Sequence, residues 1–207
     1  MKLRLIIITA ALMLLPALPL QAVKGSERLR AGLEWGYHQS LWRHYHLNYL
    51  TDANARVDSK GAQWKAIANG HAGLYAGLML SDRWEADLTA SYAGVWGDRR
   101  VFPITTRVVH YFSDFDAEGT FKAFAEGGPL VSNNYTLLPS WLLRAGAGRR
   151  HKLSRRMSLD FSLDIQCCFD HPEHVYDPRN DIYVREEKAL RNNSTCLSCG
   201  VSLSLNF

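Results

Sequence analysis

The chain has 207 residues, with 24 lysines and arginines against 20 aspartates and glutamates, and a formal net charge of +4. This near balance gives no electrostatic case for nucleic acid as a partner, because proteins that bind nucleic acid usually carry a clustered basic face. The length is sufficient for one domain with a normal core.

The first 22 residues have the three parts of a secretory signal peptide. Lys2 and Arg4 form a charged start, a short apolar run follows from Leu5 to Leu20, and the small residue Ala22 lies at the cleavage point. No cysteine follows Ala22, which argues against a lipoprotein anchor. The sequence therefore predicts an exported protein.

We expect the mature part, residues 23–207, to form one domain. Removing the signal peptide takes away two basic residues and lowers the net charge from +4 to +2. No later apolar stretch reaches the length of about 18 residues that a transmembrane helix needs. If the mature chain spans a membrane, it must do so as a closed β-barrel.

Eight segments alternate apolar and polar residues, the pattern of strands with one apolar and one polar face. In chain order they are Leu29–His38, Gln63–Leu80, Trp84–Tyr92, Val101–Phe112, Thr120–Leu130, Ser140–Gly148, Met157–Phe169 and a last strand that ends in Val201–Phe207. Soluble strands average about 5–6 residues, whereas about 9–11 residues cross a bilayer obliquely. The thirteen alternating residues of Met157–Phe169 suit the second case.

The connections between these strands differ in length. Residues 40–62 and 171–193 are predicted to be long loops, and the other connections are shorter, as in outer-membrane barrels with both termini on the periplasmic side. Strand count alone leaves a secreted β-sandwich open. The basic turn Arg149–Lys152 with Arg155 and Arg156 is predicted to be solvated on the periplasmic side.

The two faces of the predicted strands differ in composition. One face is apolar, with the aromatic residues Trp35, Trp84, Trp141 and Phe207 near strand ends, as in a membrane girdle. The other face carries five basic and six acidic residues: Arg30, Glu34, Lys65, Glu85, Asp87, Arg107, Lys122, Glu126, Arg144, Asp160 and Asp164. Inside a barrel such charges must be paired. An eight-stranded barrel is narrow enough to be filled by side chains, so we expect a plugged interior without an open pore.

These features together resemble the small bacterial outer-membrane β-barrel proteins of the OmpA/OmpX type. The resemblance rests on the signal peptide, the eight segments, the Phe112–Gly128 region that ends in Phe124–Gly128, the Leu153–Leu159 turn and strand, and the terminal Phe207. It implies an all-β, eight-stranded antiparallel up-and-down transmembrane barrel, monomeric, in the outer membrane of a Gram-negative bacterium. It also implies that Phe207 belongs to the signal read by the barrel-assembly machinery.

Four cysteines lie at the loop ends of the last two strands. Strand parity places Cys168 and Cys196 inward and Cys167 and Cys199 outward, and the position sums 364 and 366 allow both same-face pairs to lie in nearly the same register. Because an exported chain meets oxidising conditions, we expect the disulfides Cys168–Cys196 and Cys167–Cys199. The crossed pairing stays open, and a Cys₄ zinc site is the rival interpretation.

Two further patterns concern catalysis and metal binding. His38 and Ser40 invite comparison with outer-membrane lipid A deacylases, although no signal marks an acidic third member. The histidines in 42–46 and 171–174 are too loosely spaced for a metal signature, so we predict no metal and no cofactor.

We predict a structural or surface-interaction protein in contact with outer-membrane lipid, with extracellular ligands reached through its long loops. A lipid-modifying enzyme and a narrow channel are the alternatives.

Overall fold

A computed structural model describes residues 29–97, 99–114, 117–131, 137–154, 157–172 and 175–207. The predicted signal peptide, residues 1–22, lies outside these residues. The described residues contain no helix long and apolar enough to cross a membrane.

Eight long antiparallel strands form a closed ring. The strands are β1 Leu29–Leu50, β2 Arg56–Ser81, β3 Trp84–Gly94, β4 Arg100–Tyr111, β5 Phe121–Val131, β6 Leu137–Lys152, β7 Ser158–Asp170, β8 Val175–Asp177, β9 Ile182–Val184 and β10 Ala189–Asn206. Strands β8 and β9 form a separate hairpin, followed by the 3₁₀ turn Glu186–Lys188. The ring closes where β10 pairs with β1, with Gly32 opposite Asn206. This confirms the predicted eight-stranded antiparallel barrel and excludes the sandwich.

The two ends of the barrel are unequal. The lower end carries Phe207, the start of β1 and the two-residue turn between β2 and β3, whereas the upper end carries the turn 51–55 and hairpin β8–β9. Strands β1, β2 and β10 have 22, 26 and 18 residues, while β3 and β5 have 11 each. The three long strands therefore rise above the upper rim as a wall.

The prediction of a long first loop over residues 40–62 is wrong. Strand β1 continues to Leu50 and β2 begins at Arg56. A register shift between Ser40 and Trp42 moves the main buried side chains of β1 from even positions, such as His38, to odd positions, such as Tyr45. This β-bulge breaks the alternation by which the strand is recognised in the sequence.

The last long connection also contains structure. Hairpin β8–β9 folds against the inner side of the wall, where Val184 packs on the cluster of Tyr45, Leu47 and Tyr49.

The outer surface of the ring is a belt of exposed apolar side chains. It includes Leu33, Leu74, Leu78, Leu88, Ile104, Val108, Leu143, Phe161, Leu163, Ile165 and Val201, all of them at outward positions. Aromatic rings lie near both edges of this belt, with Trp84 and His110 4.5 Å apart at the lower edge and Tyr92 and Phe102 4.9 Å apart at the upper edge.

Candidate functional site

Two carboxylates and two guanidinium groups form the centre of the barrel interior. Glu34 on β1 lies 2.7 Å from Arg107 on β4 and 2.5 Å from Arg144 on β6. Glu126 on β5 lies 3.0 Å from Arg107 and 2.8 Å from Arg144. All four side chains are at least 95% shielded from solvent. Each charge thus has two opposite partners, which offsets the cost of removing it from water.

A second group of charges lies below the first, centred on Asp160. Its carboxylate accepts a bond of 2.5 Å from Lys122 Nζ and two bonds, of 2.8 and 2.9 Å, from Arg150. The prediction that Arg150 belongs to a solvated turn is wrong, because β6 continues to Lys152 and Arg150 is 2% exposed. The even-numbered inward positions of β6 extend from Ser140 through Arg144 to Arg150, so strand parity contained the signal that was missed.

Glu85 extends this lower group. Its carboxylate accepts a hydrogen bond from Tyr111 and lies 3.9 Å from both Arg30 and Arg150. Asp87 is buried beside it, where the absence of a side chain at Gly77 leaves room for both carboxylates.

Two histidines connect the interior charges across the barrel. His38 Nε2 lies 2.7 Å from Asp164 Oδ1, and His71 Nε2 lies 3.2 Å from Glu34 Oε1. The two imidazole rings are 4.5 Å apart. They fit because a Cβ at Gly36 would overlap His71, and a Cβ at Gly200 would overlap His38.

Ten of the eleven predicted interior charges therefore face the lumen within the buried part of the barrel. Lys65 is the exception, since its side chain is exposed and lies in a cavity above the barrel rim. The height of Lys65 on the long strand β2 decides this, and parity carries no information about height.

His38 and Ser40 bond to different partners and not to each other. The carboxylate missing from the sequence pattern is present as Asp164, but Ser40 Oγ donates to the Val95 carbonyl at 2.5 Å. Ser40 also lies within hydrogen-bond distance of Ser198 and Asn69. With Ser40 fully buried, its hydroxyl belongs to the packing of the interior.

An apolar layer lies above the charged groups. It consists of Ala93, Val95, Val101, Leu130, Leu142, Cys168 and Cys196, with Trp96 packed against it. These side chains come from both halves of the ring and are no more than 3% exposed, apart from Trp96.

The β3–β4 connection folds inward and contributes to this layer. The Val95 carbonyl accepts from Ser40 Oγ and from Asn69 Nδ2 at 3.2 Å. At the other end of the connection, Arg99 Nε donates to Asp170 Oδ2 on β7 at 3.2 Å. Val95 and Arg99 are thus held from opposite sides of the ring.

The cysteines lie where parity predicts. Cys168 and Cys196 are buried and directly opposite each other on β7 and β10, while Cys167 and Cys199 face outward and are diagonal neighbours. All four are free thiols in this structure. The disulfides stay a prediction.

A cavity of about 1030 Å³, which we call the vestibule, opens above the apolar layer. The β1–β2–β10 wall bounds one side, Val95–Gly97, Arg99 and Arg100 form its base, and hairpin β8–β9 bounds another side. Among the described residues that line it, four side chains are cationic, Arg43, Lys65, Arg99 and Arg100, and one is a carboxylate, Asp170.

The β8–β9 hairpin is fixed beside the vestibule by Asp177. This buried carboxylate accepts hydrogen bonds from Tyr49, Ser59, Asn180 and the Arg179 amide, at 2.8–3.0 Å. Burial acts to raise the pKa of Asp177, but the four donors outweigh burial and hold the pKa below the ordinary aspartate value. Burial in turn raises the pKa of Tyr49.

No group of three or more His, Cys, Asp or Glu side chains within the described residues is arranged to hold a metal ion. His174 lies outside those residues.

No protein-family model and no curated protein matches the chain. Among solved structures, the Neisserial surface protein A (NspA) is 10% identical with a TM-score of 0.43, over 86% of this chain and 98% of NspA. The outer membrane protein OprG from Pseudomonas aeruginosa is 12% identical with a TM-score of 0.46, over 90% of this chain and 99% of OprG. The outer membrane protein AlkL is 11% identical with a TM-score of 0.32, over 89% of this chain and 94% of AlkL. These scores are low, and the ring of eight strands is established by strand pairing within the chain itself. The narrower resemblance to the OmpA/OmpX type stays a prediction.

Proposed function

We propose that this protein is a closed, non-enzymatic barrel of the outer membrane that acts at the cell surface through its upper end. The belt of exposed leucine, isoleucine, valine and phenylalanine side chains supports the membrane location. Soluble monomers rarely expose contiguous apolar patches larger than a few hundred Å². A closed barrel with a polar interior and an apolar exterior is the form in which strands can cross a bilayer.

The closed state is inferred from two layers across the lumen. An apolar layer that includes Val95, Val101, Leu130 and Leu142 lies over the charged group of Glu34, Arg107, Glu126 and Arg144. Ions passing through the lumen would have to cross both. The barrel thus serves as a rigid support, and binding residues are commonly placed on the loops and rims of such supports. The outer-membrane lipid and, during biogenesis, the barrel-assembly machinery are its expected partners, with the chain acting as a monomer.

Planar-bilayer recording tests the closed state. Purified full-length protein should give no steady single-channel conductance, whereas reproducible open levels would contradict the proposal and favour the narrow channel. Cell fractionation tests the location, and protein that stays soluble without detergent would end the membrane assignment.

The enzyme alternative has its own test. Because Ser40 is buried and bonded to the Val95 carbonyl, we expect lipid A from cells overexpressing the protein to keep all its acyl chains. Loss of an acyl chain that is reversed by His38→Ala would refute the non-enzymatic assignment.

A further inference from the structure

We infer that the vestibule is a binding site for an anionic saccharide, a sugar that carries a phosphate group and comes from the external solution. This inference rests on the proposed surface role and gives it a ligand class. The cavity volume of about 1030 Å³ lies at the upper end of the range of roughly 300–1,000 Å³ for small-molecule sites, which favours a ligand larger than a single small ion.

The charge of the lining favours an anion. Among the described residues that line the vestibule, Asp170 is the one carboxylate, and of the four cationic side chains only Arg99 bonds to it. Asp170 also accepts from Ser140. Lys65 makes no hydrogen bond or ion pair with the described part of the chain. Positive charge concentrated in a concave site raises the local concentration of anions.

Arg43 is oriented for such a ligand. Its Nε donates to Ser194 Oγ at 2.8 Å, and its guanidinium carbon lies 6.0 Å from the centre of the Tyr45 ring. These two contacts fix the planar group while its terminal nitrogens make no hydrogen bond to the described residues. A guanidinium fixed in this way can donate two parallel bonds to a phosphate.

The remaining lining suits a sugar. Trp96, Tyr176 and Tyr183 present aromatic rings, and Tyr176 and Tyr183 form a pair with ring centres 5.1 Å apart. Tyr183 is 81% exposed, so its ring is available to a ligand. Aromatic faces pack against the C–H faces of sugar rings, while Gln63 offers an amide to the hydroxyl groups. An inorganic anion would contact only the cationic side chains, and the aromatic rings and the Gln63 amide would have no role in its binding.

The test is calorimetric titration of the full-length protein in detergent micelles with trehalose 6-phosphate, trehalose and inorganic phosphate. We expect saturable binding of trehalose 6-phosphate that weakens as salt is added, and at least tenfold weaker binding of the other two probes. Equal binding of trehalose would overturn the role of charge, and equal binding of inorganic phosphate would overturn the role of the sugar.

Variants locate the site. The double variant Arg43→Gln/Lys65→Gln should weaken trehalose 6-phosphate binding at least tenfold, and Lys65→Gln alone at least threefold. The control Lys60→Gln/Arg83→Gln removes the same charge from the outward face of β2 and from the lower turn. No saturable binding by the wild type, or equal affinities in the vestibule and control variants, would overturn the inference.

A phosphorylated sugar is also present in the headgroups of membrane glycolipids. A further titration distinguishes a glycolipid from a ligand in the external solution. Adding phosphorylated lipopolysaccharide to the micelles should leave trehalose 6-phosphate binding unchanged, and loss of that binding would overturn the solution source. Failure of the site is distinguishable from failure of the proposed function, because a protein that binds no sugar phosphate can still be silent in planar bilayers.

Discussion

Arg99 and Asp170 join opposite sides of the barrel mouth. Arg99 ends the β3–β4 connection, Asp170 ends β7, and Arg99 Nε and Nη2 lie 3.2 and 3.4 Å from the two carboxylate oxygens. Asp170 is 3% exposed, so the pair is largely removed from water. Because Val95 at the start of the same connection belongs to the apolar layer, we expect the ion pair to help hold that layer in place.

Asp170→Asn should loosen the β3–β4 connection without unfolding the barrel. The Val95 amide donates to the Arg99 carbonyl at 3.1 Å, and its hydrogen exchange should become at least tenfold faster once Arg99 loses the charged partner. Asp114→Asn, which removes the exposed partner of Arg83 at the lower end, is the control and should leave Val95 exchange unchanged. Equal exchange rates in the two variants would show that the ion pair does not hold the connection.

Glu34→Gln should destabilise the barrel strongly. The substitution keeps the shape of the side chain but leaves Arg107 and Arg144 sharing the single carboxylate of Glu126. Breaking a buried pair in this way costs about 3–5 kcal/mol. Urea unfolding in lipid vesicles measures the loss, with the exposed Glu187→Gln as the control. A loss below about 1 kcal/mol would mean that the interior compensates for the missing charge.

The β8–β9 hairpin should detach at acid pH. We expect its docking to depend on Asp177, because Tyr49 and Ser59 on the wall help to hold the pKa of this carboxyl below the ordinary aspartate value. A lowered folded-state pKa gives stabilisation that is complete well above the ordinary aspartate value of about 3.9 and is lost as the pH falls through the folded-state pKa. Limited proteolysis across this range should show cleavage near residues 178–181 rising below roughly pH 4.

Asp177→Asn should produce the same cleavage at neutral pH. The matched control is Asp181→Asn, which removes the exposed acceptor of Tyr176 within the same hairpin. If both variants resist protease equally at neutral pH, docking of the hairpin does not depend on the Asp177 charge.

Oxidising conditions should join Cys168 to Cys196. The two residues are directly opposite on adjacent strands, so little movement is needed, and closing the loop between them should add about 3–4 kcal/mol of stability. Peptide mass spectrometry of unreduced, alkylated protein measures the pairing. Cys167 and Cys199 are diagonal and should pair more slowly, and the double variant Cys167→Ser/Cys199→Ser should leave the inner disulfide intact. Four alkylated thiols after oxidation would refute both disulfides.

The amino-acid sequence determined the eight-stranded barrel, its inward and outward faces and the register of the cysteines. Alternation with a period of two is a local property of the strand, so Asp160, Asp164 and Cys168 were placed inward without knowledge of any partner. Continuing this alternation along β6 from Arg144 through Gly146 and Gly148 would also have placed Arg150 inward.

Only the tertiary structure decided how high each residue lies and what it meets across the lumen. The bulge at Ser40–Trp42 changes which positions of β1 face inward, so the sequence pattern did not reveal the upper part of the wall. The length of β2 places Lys65 in the vestibule above the buried charges. Glu34 meets Arg107 and Arg144, and Arg99 meets Asp170, because ring closure brings together strands that are far apart in the chain. Such contacts depend on strand tilt and stagger, which belong to the ring as a whole.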